Sequence, residues 1–147
     1  MGIPKADFFN LAHQLAIMSE TFPASEKLKS KILIDILFTE GNSIKQFPIK
    51  LLYHPIKNPE ITTCKTGVSV PKRNFKKAVD RNYLKRLMRE AFRKNKYLVD
   101  SNLDQKYALM FIFTARKNYE YEKISNCIIQ LLNKLKEKES THEKQDN

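Results

Sequence analysis

The chain has few of the residues that characterise secreted or membrane-spanning proteins. Its two cysteines, Cys64 and Cys127, stand apart, with no CxxC pair and no histidine at ligand spacing, so we expect neither a disulfide framework nor a zinc site. The longest apolar run, Tyr107 to Phe113, is seven residues, whereas a transmembrane helix needs about 20. Polar residues interrupt the N-terminal apolar stretch, which argues against a signal peptide. These absences predict a cytoplasmic protein with no membrane association.

Glycine and proline are also infrequent, with three and six residues in a chain of 147, and there is no internal repeat. A chain of this length has room for one domain with a modest core. Residues 1–24 are weakly patterned and end near Pro23, so we expect a flexible N-terminal extension. We expect the folded domain over 25–138 and a polar, disordered tail over 139–147.

Acidic residues are scarce in the middle of the chain. The segment from Lys65 to Lys96 has twelve Lys or Arg residues and two acids, Asp80 and Glu90, a net charge of +10, while the whole chain carries +11. Charge this concentrated is typical of a surface that binds a polyanion, and nucleic acid is the polyanion it suits best.

The hydrophobic pattern predicts a mixed α and β domain. Apolar spacing indicates a first helix from about Ser25 or Ser30 to Thr39, ended by Gly41. Two strands follow, Phe47 to His54 and Thr62 to Val70, which could pair as a hairpin. Three elements complete the prediction: a helix over 78–95, a strand over 107–115 buried on both faces and central in the sheet, and a helix over 119–138.

The helix over 78–95 has an apolar and a basic side. The apolar residues recur at spacings of three and four and predict the buried stripe Leu84, Leu87, Met88, Ala91 and Phe92. The basic residues predict a ridge of Arg81, Lys85, Arg89 and Arg93, with Arg86 beside it. A helix face that only aided solubility would normally alternate bases with acids, so the ridge favours phosphate binding.

Two segments together identify a family. Gly67-Val68-Ser69-Val70-Pro71-Lys72-Arg73, followed by the run from Ala78 to Arg93, closely resembles the signature of the bacterial ribonuclease P protein subunit. That signature joins a G-x-S strand to a helix with A-V-x-R-N-x-x-K-R-x-x-R-E-x-F, and every fixed position is met. The resemblance covers about residues 26–135. Met18 falls where a family member of ordinary length would start.

The resemblance implies a fold and a function. The fold is a single-domain α+β sandwich of order α-β-β-β-α-β-α with a left-handed β-α-β crossover, like the second domain of ribosomal protein S5. The function is that of a protein cofactor in ribonuclease P, an endoribonuclease that removes the 5′ leader of precursor tRNA. In that family the catalytic RNA binds the Mg²⁺ ions and carries the chemistry. The implied partners are ribonuclease P RNA and precursor tRNA, with no obligate protein partner.

The resemblance also assigns binding residues. Arg in particular offers a planar fork that takes two phosphate oxygens. The residues expected to bind RNA are Lys72, Arg73, Arg81, Asn82, Lys85, Arg86, Arg89 and Arg93. The single-stranded leader is expected in a cleft between the first helix and the sheet, near Ile34, Phe38, Leu52 and Tyr53, where an aromatic ring could stack on a base.

No catalytic or metal-binding residues are expected in the protein itself. Hydrolysis of a phosphodiester by a protein-bound metal pair needs converging carboxylates, and the motif has only Asp80 and Glu90. Three other classes share parts of the pattern: a general RNA-binding or ribosome-associated protein, a DNA-binding module with the basic helix in the major groove, and a protein-only nuclease.

Overall fold

The computed structural model describes residues 26–61, 63–100, 103 and 105–145, with side chains as far as Glu139. The predicted extension over 1–24, with Met18, lies outside the described residues. Eight elements follow one another along the chain. They are α1 (Lys31–Glu40), β1 (Asn42–Gln46), β2 (Ile49–Ile56), β3 (Lys65–Ser69), α2 (Ala78–Asn95), α3 (Tyr97–Asp100), β4 (Lys106–Phe113) and α4 (Tyr121–Gln145).

The four strands form one sheet in the order β1-β2-β4-β3. β4 is antiparallel to β2 and parallel to β3, and α2 lies in the connection between the two parallel strands. This arrangement is the β-α-β crossover that the resemblance implied. The predicted central position of β4 is confirmed, because its side chains are apolar on both faces and gain from burial on each.

The sheet separates two apolar layers, as the alternation of side chains along a strand requires. On one face, Leu109, Phe111 and Phe113 belong to the main core together with the buried residues of α2 and α4. On the other face, Leu52, Ala108 and Met110 form a smaller cluster with Leu37 of α1. The two longer helices therefore cover one face, and α1 covers part of the other.

Most of the predicted elements are present. Ser30 caps α1 by accepting a hydrogen bond from the Leu33 amide, 3.4 Å, and α2 has the predicted bounds. The buried stripe of α2 is confirmed: Leu84, Met88, Ala91 and Phe92 are enclosed and Leu87 packs against them.

Three predictions were wrong in detail. The strands around Leu51 and Val68 do not form a hairpin, since β4 lies between them. Strand β1 was missed, because four of its five residues are polar and only Ile44 is buried. Helix α4 continues to Gln145, so the tail predicted to be disordered is helical over 139–145. Glu139 accepts a hydrogen bond from the Tyr107 hydroxyl, 3.1 Å, which ties this part of the helix to the sheet.

Candidate nucleic-acid interface

The loop between β3 and α2 presents two of the predicted RNA-binding residues. Lys72 and Arg73 are exposed at the loop's turn, where the amides of Asn74 and Phe75 both donate to the Pro71 carbonyl, 3.1 and 3.3 Å. Phe75 is buried, and its ring lies 5.7 Å from that of Phe113. The aromatic anchor holds the loop on the core, so its two cations remain at the surface.

Arg81 has a structural contact that sequence analysis missed. Its guanidinium donates to the carbonyl oxygens of Phe75, 2.7 Å, and Lys76, 2.9 Å. The residue at the helix start, Lys77, makes no side-chain cap, so Arg81 supplies the link between the first turn and the preceding loop. This contact could not be predicted from the sequence, because Arg81 belongs to the same motif as the arginines whose side chains remain exposed.

The side chains of α2 and the segment before α1 enclose a basic pocket, which we call the arginine pocket. Arg86 and Arg89 are exposed along its wall. Six residues line it: Lys27, Asn82, Arg86, Arg89, Glu90 and Arg93. Four are bases and one is an acid, so the pocket has a formal charge of +3. Lys27 comes from outside the motif and was not predicted.

Arg93 is part of the pocket but is largely covered. Its side chain is 14% exposed and forms a two-pronged salt bridge with the Glu90 carboxylate. The Lys94 ammonium lies 3.8 Å from the same carboxylate. Glu90 is thus held by two bases, and its charge is largely offset within the helix.

The predicted ridge does not lie on one exposed line. Successive residues of an α-helix turn by about 100°, so a spacing of four residues overshoots a full turn by about 40°. From Arg81 to Arg93 this drift reaches about 120°. Arg81 and Lys85 accordingly lie at the flank, partly buried, while Asn82, Arg86 and Arg89 are exposed. The exposed surface of the helix therefore carries Arg86 and Arg89, and it is rotated about the helix axis away from Arg81 and Lys85.

A second concave surface, the α1 cleft, lies between α1 and the other face of the sheet. Its volume is about 950 Å³, and its floor and walls are mainly aliphatic. The apolar lining includes Leu28, Ile32, Leu33, Ile36, Ile56 and Ile61. The charged residues at the same cleft are Lys27, Lys29, Lys57, Lys65 and the acid Glu40, and His54 lies beside them. Ile32 is 72% exposed, which marks the cleft as an open apolar surface with basic residues around it.

The four residues predicted to bind the leader lie in different parts of the structure. Phe38 is 57% exposed and Ile34 is half-buried, but neither lines the α1 cleft. Leu52 is buried beneath α1. Tyr53 was wrongly assigned to this side. Adjacent strand residues point to opposite faces, so Tyr53 lies in the main core, with its ring 6.2 Å from that of Tyr107. Burial and the Glu139 carboxylate raise the pKa of Tyr53.

Both thiols are buried and hydrogen-bonded. The Tyr107 amide donates to Cys64 Sγ, 3.4 Å, and the Cys127 thiol donates to the Gln46 carbonyl, 2.8 Å. Burial raises the pKa of each thiol to about 11. Cys64 and Cys127 are both free, buried thiols in the structure.

Acidic and other potential metal ligands are dispersed. Within the described ranges, no three His, Cys, Asp or Glu side chains converge as metal ligands would. His54 lies at the α1 cleft, and the side chains of His13 and His142 lie outside the described residues. The same ranges contain no helix with the length and hydropathy of a bilayer span.

Comparisons with known proteins agree with the signature. The family model described as Ribonuclease P matches residues 22–136. The ribonuclease P protein component of Thermotoga sp. strain RQ2 is 33% identical over 121 residues, covering 81% of this chain and 97% of that protein. The component from Porphyromonas gingivalis strain W83 is 35% identical over 82 residues, 56% of this chain. The match spans 60% of the length of that relative.

Solved structures show the same fold. The RNase P protein of Staphylococcus aureus superposes with a TM-score of 0.61 at 23% identity, covering 74% of this chain and 93% of that one. The RNase P protein from Thermotoga maritima gives a TM-score of 0.61 at 22% identity, covering 74% and 96%.

Proposed function

Because the chain belongs to the ribonuclease P protein family, we propose that it is the protein cofactor that binds the catalytic RNA and the precursor tRNA. In this role it promotes the Mg²⁺-dependent removal of the 5′ leader that gives the mature tRNA end. We place this activity in the cytoplasm, where free thiols such as Cys64 and Cys127 stay reduced.

The arginine pocket is the observation that carries the proposal. Arg86 and Arg89 are exposed side by side on α2, and Asn82 and Lys27 complete the wall. A guanidinium can donate two parallel hydrogen bonds to the oxygens of one phosphate. The pocket therefore suits the sugar-phosphate backbone of a folded RNA, which is recognised mainly by shape, phosphate and 2′-hydroxyl.

Lys72 and Arg73 extend the basic surface beyond the start of α2. The loop that carries them is fixed by the buried ring of Phe75 and by the hydrogen bonds from Arg81. A fixed loop loses little conformational entropy on binding. We propose that these two residues contact phosphates on the same RNA, with Lys85 at the pocket's flank.

We assign the single-stranded leader to the α1 cleft. Its lysines suit a phosphate backbone, and its aliphatic lining offers apolar contact to the faces of bases. Among the residues that the structure describes, the lining has no Phe, Tyr or Trp side chain, and His54 is its one aromatic ring. Phe38 remains the predicted stacking residue, since its ring is exposed elsewhere on α1.

The chain's residues fit a role in binding and not in metal coordination. Glu90, the acid within the pocket, is held by Arg93 and Lys94, and no ligand set surrounds it among the described side chains. As the family resemblance implies, we assign Mg²⁺ to the RNA subunit, and to the protein the positioning of the two RNAs.

Reconstitution tests the proposal. A 5′-labelled precursor tRNA is incubated with the full chain, with a bacterial ribonuclease P RNA, and with both, at near-physiological Mg²⁺. Cleavage at the mature 5′ end that needs both components is the expected result. Cleavage by protein alone would indicate a protein nuclease. Absence of stimulation by a cognate RNA would instead favour a general RNA-binding or ribosome-associated role.

A further inference from the structure

The short segment before α1 forms an additional edge to the sheet. Lys27 pairs with Thr66 of β3 in a parallel bridge, and the Leu28 amide donates to the Thr66 carbonyl, 2.9 Å. Because side chains alternate along an extended chain, Leu28 packs on the smaller cluster beneath α1, whereas Lys27 lines the arginine pocket and also borders the α1 cleft.

A largely buried ion pair fixes this segment to the end of α2. The Lys96 ammonium lies 2.8 Å from the Glu26 carboxylate, and the two side chains are only 13% and 12% exposed. A covered pair of this kind is far more sensitive to loss of one partner than a surface pair. Lys96 and Glu26 also interact electrostatically with Asp100, whose pKa burial raises. The pair therefore lies within a charged cluster at the C-terminal end of α2.

These contacts have a direct consequence for RNA binding. Glu26 is adjacent to Lys27 in the chain, so fixing Glu26 against α2 also fixes the backbone from which the Lys27 side chain extends. Resting on the function proposed above, we propose that Lys27 is a further phosphate-binding residue of the arginine pocket and that the Glu26–Lys96 ion pair positions it. The ligand is an RNA phosphate that Arg86 and Arg89 contact from α2.

The role of Lys27 is tested by affinity for ribonuclease P RNA, measured by filter binding with the full chain over a range of salt concentrations. Lys27→Ala is expected to weaken binding and to reduce the slope of log K against log salt by about 0.7–0.9, the value for one phosphate contact. Lys31→Ala is the matched control, since Lys31 is exposed nearby but lines neither concave surface. Its slope should change by less.

The positioning role is tested by whether a substitution at Glu26 weakens or tightens RNA binding. Glu26→Gln removes a negative charge, which by charge alone would tighten binding to a polyanion. Positioning predicts weaker binding instead, with no further loss when Lys27 is already alanine. The charge-swapped variant Glu26→Lys with Lys96→Glu keeps the net charge and should recover most of the affinity. Circular dichroism checks that each variant is folded.

These measurements separate the contact from Lys27, the positioning by Glu26 and the proposed function. If Arg86→Ala loses affinity while Lys27→Ala does not, the contact from Lys27 is overturned and the proposed function stands. Tighter binding by Glu26→Gln would overturn the positioning role. If Arg86→Ala, Arg89→Ala and Lys27→Ala all bind as the original chain does, the assignment of the pocket to this RNA fails as well.

Discussion

Arg81 and Arg86 belong to one motif on one helix, yet their side chains lie in different surroundings. The Arg81 guanidinium is bound to two backbone carbonyls of the preceding loop. Arg86 is exposed in the wall of the arginine pocket. The five-residue separation places them on different sides of α2, since five residues turn by about 500°, or 140° past a full turn. The Arg81 guanidinium therefore stabilises the fold, whereas that of Arg86 is exposed and is the one we propose for RNA binding.

Alanine substitution should separate these two roles. We expect Arg81→Ala to lower the free energy of unfolding by about 1–2 kcal/mol, because two charge-assisted hydrogen bonds to the loop are lost. Arg86→Ala should leave stability within about 0.5 kcal/mol, as is usual for an exposed residue, while weakening RNA binding. Urea unfolding and filter binding of both variants measure the difference. Equal stability of the two variants would contradict the structural role of Arg81.

The α1 helix ends where the chain has almost no room for a side chain. The Gly41 amide donates to the Leu37 carbonyl, 3.1 Å, and closes the last turn. A Cβ atom at this position would lie 2.3 Å from the Leu37 carbonyl oxygen and 3.1 Å from its carbon. Such an approach to backbone atoms cannot be relieved by a rotamer change. The helix end must then move relative to β1, which begins one residue later.

Gly41→Ala should therefore destabilise the domain, by about 1–3 kcal/mol, the usual range for overpacking. Gly67→Ala is the matched control. Its Cβ would first meet the end of the flexible Met110 side chain at 3.2 Å, which can shift, so a smaller loss is expected. The free energies of unfolding of both variants in urea provide the measurement. A loss at Gly67 as large as that at Gly41 would show that the backbone contact is not decisive.

At the scale of elements, long apolar patterns were predictable and short polar ones were not. The stripe of α2 and the doubly buried β4 carry signals of many residues, and both were predicted with nearly correct bounds. β1 contributes one buried residue, Ile44, because an edge strand with one open face tolerates polar side chains. Its pairing with β2 is a tertiary property that local sequence does not encode.

The candidate site shows the same division. The motif predicted that one side of α2 is basic, but which of those side chains are exposed depends on how α2 packs on the sheet. Lys27 could not be predicted for the pocket, since it is brought there by a bridge to Thr66 and by an ion pair 70 residues apart in sequence. Leu52 and Tyr53 were both predicted for the leader cleft, but adjacent strand residues point to opposite faces, and only Leu52 lies beneath α1.

Considered as a whole, the molecule has two buried thiols whose titration is expected to lower its stability in alkaline solution. Cys64 and Cys127 lie in the main core, and burial raises the pKa of each from an ordinary value of 9.0 to about 11. Between these values the unfolded chain releases protons that the folded chain retains. Their contribution to stability is thus fully present below about pH 9 and is lost as the pH rises through 11.

We therefore expect the free energy of unfolding to fall as pH increases above about 9. For Cys64 the fall approaches about 1.4 kcal/mol per pH unit at most. Urea unfolding from about pH 8 to 10.5 measures the slope. Replacing both cysteines with alanine should reduce it, leaving a residual fall from Tyr53, whose pKa burial also raises. An unchanged slope in that double variant would exclude the thiols as its source.

The two concave surfaces lie on opposite faces of a single sheet, and among the described residues only Lys27 lines both. If a strand bound in the α1 cleft displaces Lys27, we expect the affinity of the arginine pocket for phosphate to change. Thermodynamic linkage then requires an equal change in the affinity of the cleft when the pocket is filled. Lys27 would thus couple the two surfaces, so that binding at one changes the affinity of the other.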